Sequence, residues 1–527
     1  MTSPAFSRLM PLLLLAALGC GPSRRSNSGT RPATSVAAAG RFEDETNCNG
    51  LGDLRCIKLS LPIPSGDAVG RELVVTFAVH EGTQANREAL LLIGGGPGEP
   101  VIESVSDWLP SIDPRLLEGR DVVTFDLRGA FQSGDHGCPE ADDIWRQQTF
   151  TAKTPQQRLE LLRAAKTFAF ACAAELGIDA ADLPYYNSVD AAHDIEAFRR
   201  IRGYDRWTIY AYSYGTQLAQ IYAGLFPDRV KNMALDGAVD LQVSALDFDA
   251  QLVDAQNQIL DQTLDQCLDR ASCASLFVTS PREALLRLKS ALNQDEPFAE
   301  SALDALDPIA SIGPDRRFIA DNFDLYDLDL VASQAMHDEK GRAEFLRALS
   351  AFDRAGDMKP LHQLLYGTPT THDQIPDSEK SPIRSDMGIY YLFICNDYGR
   401  GGLSYSERVN KFEALADHVE GGDFIIRSPG YSELPCMVWP SAPAIAPRLP
   451  PANNTVPTLL IAATMDAAVP FEQSLGLLGR SPNASLIMVE GGHHVMYGTD
   501  NDCVDDAVNV FLLSGEQPEL KIQRCPA

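Results

Sequence analysis

The sequence predicts an α/β fold, a mostly parallel sheet flanked by helices, with a large helical cap inserted. Three observations predict it. Short apolar, β-rich runs recur at Leu73–Val79, Leu90–Ile93, Val122–Phe125, Trp207–Tyr212, Asn232–Leu235, Thr458–Ala462 and Ser485–Val489. Helical patterns such as Val189–Ile201 and Gln217–Phe226 lie between several of them. That alternation is the one produced by crossovers between parallel strands buried on both faces. From about Leu241 to Thr455 the rhythm breaks, and helical patterns dominate at Asp254–Asp269, Pro281–Asn293, Ala343–Ala355 and Tyr405–Asp417, with proline-rich turns near Pro440–Pro451. This stretch reads as a cap, with the chain returning to the sheet for its last strands.

A chain of 527 residues has ample material for a core and for more than one domain. Its 45% hydrophobic and 22% charged content is ordinary for a globular protein. The net charge of −28 argues against a nucleic-acid binder, because a phosphate backbone would be repelled. At the amino terminus Arg8 precedes an apolar run, Leu9 to Leu18, too short to span a bilayer. It ends Ala17-Leu18-Gly19-Cys20, which resembles a bacterial lipoprotein box in which Cys20 carries the lipid and attaches the chain to a membrane. The same bond also fits an ordinary small-x-small cleavage site that would release the protein. The expected organisation is a signal peptide (1–20), a Ser/Gly/Pro/Ala-rich linker (21–45), a first sheet segment (46–240), the cap (241–455) and a closing sheet segment (456–527). Export gives the other cysteines a meaning. Cys48, Cys56, Cys138, Cys172, Cys267, Cys273, Cys395, Cys436, Cys503 and Cys525 form an even set, which points to disulfides in an oxidising compartment. Pairing neighbours in sequence gives five bridges, although sequence alone leaves the connectivity open. No C-x-x-C or H-E-x-x-H occurs, so neither a metal site nor a cofactor is expected.

The chemistry centres on Ile209-Tyr-Ala-Tyr-Ser-Tyr-Gly-Thr216, a β-rich run that stops on a serine and passes into a helix. A strand-to-helix turn of that kind is a nucleophile elbow, and Ser213 is its nucleophile. Ala211 stands where the elbow pattern has its first glycine. A bare serine needs a base, an orienting carboxylate and an oxyanion hole. The helix after Ser213 offers its N-terminal amides, so the Tyr214 N–H is one oxyanion donor. Leu90-Leu-Leu-Ile93 runs into Gly94-Gly-Gly-Pro-Gly98, whose glycines let an amide approach the oxyanion, and Gly96 is the second donor. Asp466, following the strand Thr458–Ala462, is the orienting acid. Gly491-Gly492-His493-His494 follows the last of the apolar runs. His493, directly after the glycines, is the expected base, and His494 is its competitor.

Further stretches carry a resemblance: Gly95-Gly-Pro-Gly98; Asp126-Leu-Arg-Gly129 with Ser133 and Cys138; Asp194-Ile-Glu-Ala-Phe-Arg199; Ser213-Tyr-Gly-Thr216; Phe226-Pro227; Leu235-Asp-Gly237; Cys395-Asn-Asp397; Cys436-Met-Val-Trp439; Gly492-His493; and the closing segment with Cys503 and Cys525. Together they resemble the tripeptidyl aminopeptidase branch of the prolyl aminopeptidase-like α/β-hydrolases, from about Cys56 to Cys525. The chain order Ser, Asp, His is the one this fold uses. The resemblance implies a secreted serine exopeptidase that clips short peptides from a free amino terminus through an acyl-enzyme, with Ser213, Asp466 and His493 as nucleophile, acid and base. Departures are Ala211, the Leu59–Pro64 stretch, and Glu99, where the family often has Gly or Ser. The alternatives are an esterase or amidase on small acyl substrates, and a hydrolase fold kept as a binding protein.

Overall fold

The computed structural model describes residues 41–48, 51, 53–63, 72–82, 88–134, 136–146, 148, 150–292, 323–366, 387–398, 404–440 and 455–527. The expected leader with Cys20, and most of the proline-rich turn region, lie outside the described residues.

Ten strands form one sheet in the order β1-β2-β3-β5-β4-β6-β7-β8-β9-β10. The first three, β1 (Arg41–Asn47), β2 (Leu54–Pro62) and β3 (Glu72–His80), pair antiparallel, and β3 joins β5 (Asp121–Phe125) antiparallel. From β5 onward, through β4 (Glu88–Ile93), β6 (Arg206–Tyr212), β7 (Val230–Asp236), β8 (Thr458–Ala463), β9 (Ala484–Glu490) and β10 (Ile522–Pro526), every pairing is parallel. The chain leaves β4 for β5 on one side and later returns to β6 on the other. The crevice between the carboxyl ends of β4 and β6 is therefore a topological switch point, where open parallel sheets bind ligands.

Side chains along these strands alternate between two cores. Leu91 and Ile93 of β4, Trp207, Ile209 and Ala211 of β6, and Leu460 and Ala462 of β8 belong to one cluster. Leu90, Leu92, Tyr210, Leu459 and Ile461 belong to the other. Both faces are thus dry, which is why these strands read as nearly unbroken apolar runs. The helices α1 (Val101–Trp108), α2 (Pro114–Glu118) and Asp502–Ser514 contribute to the second cluster. The helices α3 (Pro139–Arg146), α4 (Pro155–Glu175), α5 (Ser188–Arg202) and α6 (Tyr214–Leu225) contribute to the first. Their boundaries follow local chemistry. Thr154 and Gln157 form a capping box around Pro155 at the start of α4. Asn187 caps α5, whose last turn carries Arg199, Arg200 and Arg202 before Gly203 closes it at φ 74.

Strands expected from the sequence appear within two residues of their predicted ends. Strands β1, β2 and β10 do not figure among the expectations, and neither do the long helix α4 or the helices Leu325–Ala335, Met387–Asp397 and Asp502–Ser514. Strand β1 occupies Arg41–Asn47, so the expected linker ends sooner than residue 45. The Leu59–Pro64 departure falls largely on β2, and β10 pairs at the far edge. Five disulfides join Cys48–Cys56, Cys138–Cys172, Cys267–Cys273, Cys395–Cys436 and Cys503–Cys525, each a pair of sequence neighbours among the ten.

Between β7 and β8 the described chain is helical. Its longest helix, Ala245–Asp269, starts nine residues earlier than the periodicity suggests, because Ser244 accepts from the Asp247 N–H and caps it. This insertion has its own core, including Ile259, Leu264, Leu288, Val331, Phe345 and Leu349, and that core takes in Met465 and Ala467 from the loop after β8. No described helix is long and apolar enough to cross a membrane.

Candidate active site

Ser213 is the residue between β6 and α6, with φ 55 and ψ −132. A side chain at positive φ costs on the order of 1–3 kcal/mol and persists only where surroundings hold it. Here the Ser213 N–H donates to the Asp236 carbonyl at 2.9 Å. Its own carbonyl accepts from the Thr216 N–H at 2.9 Å and the Thr216 hydroxyl at 2.7 Å. Gly215 explains the abruptness of the turn, since a Cβ there would lie 2.4 Å from the Ile93 carbonyl oxygen and 2.5 Å from that of Gly94. The helix start is pressed onto the end of β4. Ala211 is fully buried in register with Ile93 and Leu235, and its methyl group is accommodated in the sheet core.

The glycine turn after β4 stands against the serine. A Cβ on Gly95 would lie 2.9 Å from Ser213 Cβ and 3.1 Å from Glu99 Oε1. Gly96 and Gly98 adopt φ 93 and 88, which L side chains rarely do. The Gly95 N–H donates to Glu99 Oε2 at 3.2 Å, and the Tyr212 hydroxyl donates to the same oxygen at 3.2 Å. Tyr214, as the first residue of α6, has no intrahelical acceptor for its N–H.

Asp466 is buried beyond β8. Its Oδ1 accepts the Ala468 and Val469 amides at 2.8 and 2.9 Å, and its Oδ2 lies 2.8 Å from Nδ1 of a histidine. That histidine is His494. The expectation that His493 meets Asp466 is corrected by this geometry: His493 directs its Nδ1 to the His494 carbonyl at 3.0 Å. Positive φ at Gly491 (97), Gly492 (73) and Val495 (64) twists the loop after β9 so that the second histidine, not the first, faces the acid. The loop is pinned at Gly491, whose N–H donates to Thr464 Oγ1 at 2.8 Å. Its next carbonyl, that of Gly492, accepts from Arg342 Nη2 at 3.0 Å.

The His494 ring packs against the β7 terminus, since a Cβ on Gly237 would lie 2.8 Å from His494 Cε1. The preceding residue, Asp236, receives the Ser213 amide on its carbonyl. Its carboxylate accepts the Tyr210 hydroxyl at 3.0 Å and the Met496 and Tyr497 amides at 2.9 Å each. One residue thus ties the elbow to the histidine loop. His494 Nε2 is buried and has no hydrogen-bond partner among the described residues. Burial alone would push the imidazole down, but the Asp466, Asp236 and Glu99 carboxylates outweigh it and raise its pKa. Burial raises Asp236 to about 6 against the opposing pull of the Tyr497 amide, the Tyr210 hydroxyl and His494. Glu99 is likewise raised by burial, partly offset by Tyr212, His494 and Gly95.

Several sequence motifs prove to be halves of single buried contacts. Arg128 forks onto Asp194 at 2.5 and 2.7 Å and donates to the Tyr185 carbonyl at 2.6 Å. Asp126 accepts the Ile102 and Gln132 amides at 3.0 and 3.1 Å. Asp397 of the helix Met387–Asp397 accepts the Ser188 amide at 2.8 Å, the Ser188 hydroxyl at 2.5 Å and Gln217 Nε2 at 2.9 Å. The Tyr214 hydroxyl lies 2.7 Å from that same serine Oγ. The insertion therefore docks directly behind the elbow. It also reaches the acid loop, where Gln256 Nε2 donates to the Ala467 carbonyl at 2.7 Å. Among the described residues no cluster of His, Cys, Asp and Glu suits a metal ion.

Glu99 and Asp236 are the site residues to which the sequence assigns no role. Glu99 is visible there only as a departure from the resemblance, and Asp236 only as part of Leu235-Asp-Gly237.

Residues 88–285 match the family model described as α/β hydrolase fold, and residues 425–525 match that of TAP-like proteins. The chain is 24% identical over 482 residues to the serine protease Hip1 of Mycobacterium tuberculosis, spanning 89% of this chain and 86% of the relative. It is 22% identical over 485 residues to the tripeptidyl aminopeptidase of Streptomyces lividans, spanning 88% and 82%. It is also 23% identical over 518 residues to a carboxylesterase B of Mycobacterium tuberculosis, spanning 96% and 94%.

Proposed function

This chain is a hydrolase of the TAP-like α/β-hydrolase family, and from that premise we propose that it is a serine exopeptidase hydrolysing short peptides from their free amino terminus. The observation that carries the proposal is the Asp466–His494 pair: His494 Nε2 is buried without a partner among the described residues, and the ring lies against Gly237, next to the Asp236 carbonyl that holds the Ser213 amide. Asp466 fixes the imidazole with its proton on Nδ1, leaving Nε2 free to accept. His494 takes the Ser213 proton as Oγ attacks the scissile carbonyl. The Gly96 and Tyr214 amides receive the charge developing on the carbonyl oxygen. The intermediate collapses as His494 Nε2–H protonates the leaving amine, and water then repeats the sequence on the acyl-enzyme. His494 replaces His493 as the base in this scheme, and Asp236 acts as a positioning residue.

The names of two relatives, a serine protease and a tripeptidyl aminopeptidase, support the peptidase reading. The third, a carboxylesterase, keeps an ester-cleaving reading in play. The helical insertion would cap the crevice. The five disulfides fit an exported protein, with a lipid on Cys20 as its anchor. The test is hydrolysis of a free-amino tripeptide anilide, its N-acetylated twin and a short acyl ester, with fluorophosphonate labelling of Ser213. Cleavage of the free-amine peptide and not of its acetylated twin is expected, with the ester reporting the acyl-transfer chemistry itself. Cleavage of the ester without a preference for the free-amine peptide over its twin would overturn the exopeptidase assignment, and absence of labelling would remove Ser213 from the mechanism.

A further inference from the structure

We infer that Glu99 is the acceptor for the substrate's α-ammonium group, and that the enzyme therefore releases one amino-terminal residue at a time. The inference rests on the peptidase reading above and gives it a substrate register.

Three observations carry it. First, Glu99 Oε1 and Ser213 Cβ lie 3.1 and 2.9 Å from where a Gly95 Cβ would stand. Only a glycine at 95 leaves that space open. Second, Glu99 is held by one oxygen. Its Oε2 accepts both the Gly95 amide and the Tyr212 hydroxyl, while Oε1 accepts no hydrogen bond from the described residues. A carboxylate so anchored has lost its rotamer freedom in advance and presents one fixed acceptor. Third, Glu99 and His494 bias each other's charge, in keeping with the placement of Glu99 beside Ser213.

An anionic acceptor beside a nucleophile suits a cation on the substrate, and a peptide with a free amino terminus carries one. Geometry then fixes how far that cation stands from the bond broken. In the residue whose carbonyl Ser213 attacks, the α-nitrogen is two bonds from the carbonyl carbon. Two further residues would carry the ammonium roughly 7 Å away along an extended chain. Oε1 lies beside the serine, so it fits the first case.

The experiment compares wild type with Glu99→Gln and Glu99→Asp on alanine anilide, Ala-Ala-Ala anilide and p-nitrophenyl butyrate, with the fluorophosphonate labelling rate reporting an intact site. In the wild type, kcat/KM for the single-residue anilide should exceed that for the tripeptide at least tenfold. In Glu99→Gln the ratio of free-amine to ester kcat/KM should fall at least thirtyfold, mostly through KM, with Glu99→Asp falling less. Equal losses on both substrates would mean that Glu99 only braces the glycine turn, and the assignment would be wrong. A wild type preferring the tripeptide would refute the one-residue register. A wild type that cleaves the ester and labels normally, yet ignores every free-amine anilide, would overturn the peptidase reading itself.

Discussion

Replacing Asp466 by asparagine tests the proposed triad at its most discriminating atom. Asp466 Oδ1 already accepts two amides, at 2.8 and 2.9 Å, so an asparagine would leave its carbonyl oxygen there. Its NH2 would then face His494 Nδ1, which stands 2.8 Å from Oδ2. Donating into Nδ1 forces the other tautomer, with the proton on Nε2, and that nitrogen can no longer accept from Ser213. The fold keeps its shape while the base is switched off. Comparable tautomer inversions cost roughly 10⁴ in kcat, about 5 kcal/mol of transition-state stabilisation. The assay is steady-state kcat on the best anilide or ester, with near-UV circular dichroism to establish native packing. Companion variants complete the test: His494→Asn should lose at least a thousandfold, and His493→Asn, which keeps a donor for the His494 carbonyl, less than tenfold. An Asp466→Asn enzyme retaining more than a tenth of wild-type kcat, or a His493 variant as crippled as its neighbour, would refute the assignment of acid and base.

Three other outcomes are expected. In Gly215→Ala the new methyl would sit 2.4 Å from the Ile93 carbonyl oxygen, so the helix must lift off β4. Activity should fall at least a hundredfold and Tm by several degrees in calorimetry, and an unchanged enzyme would mean that the close approach is not required. The acid limb of kcat/KM should lie above the ordinary histidine value of about 6.5, because its carboxylate neighbours raise His494 and the base must be neutral to act. A limb at or below that value in a pH–rate profile would count against His494. Asp397 is raised by burial to about 7, against an unfolded value near 3.9, so it holds its proton more tightly when folded. Its contribution favours folding at low pH and is lost as pH rises through about 7. Asp397→Asn should therefore flatten the decline of Tm between about pH 4 and 7, and an unaltered slope would assign that decline to other groups.

The strands framing the crevice were legible because burial on both faces leaves unbroken apolar runs such as Leu90–Ile93 and Thr458–Ala462. Strand β2 was not, since its apolar residues are broken by Arg55 and Lys58, and the Ala-rich α4 carries only a weak amphipathic stripe. Ser213 and Asp466 could be found because each directly follows an apolar strand. The choice between the two histidines could not be made. It depends on three departures from ordinary backbone, at Gly491, Gly492 and Val495, the last a β-branched residue that nothing in a sequence marks for positive φ. Asp236 stayed hidden for a different reason: two of its carboxylate's three partners are the backbone amides of Met496 and Tyr497, and amides leave no signature in residue identity.

The helical insertion meets the sheet at three places that matter for anyone wishing to redesign substrate choice. Gln256 holds the Ala467 carbonyl beside the acid, Arg342 holds the Gly492 carbonyl beside the histidines, and Asp397 grips Ser188 and Gln217 behind the serine. Transplanting a whole insertion from a relative would remove all three struts at once, leaving the reacting groups to find their own positions. A productive library would freeze these three residues and randomise the surfaces between them, because here the insertion is also scaffolding for the loops that hold Asp466, His494 and Ser213.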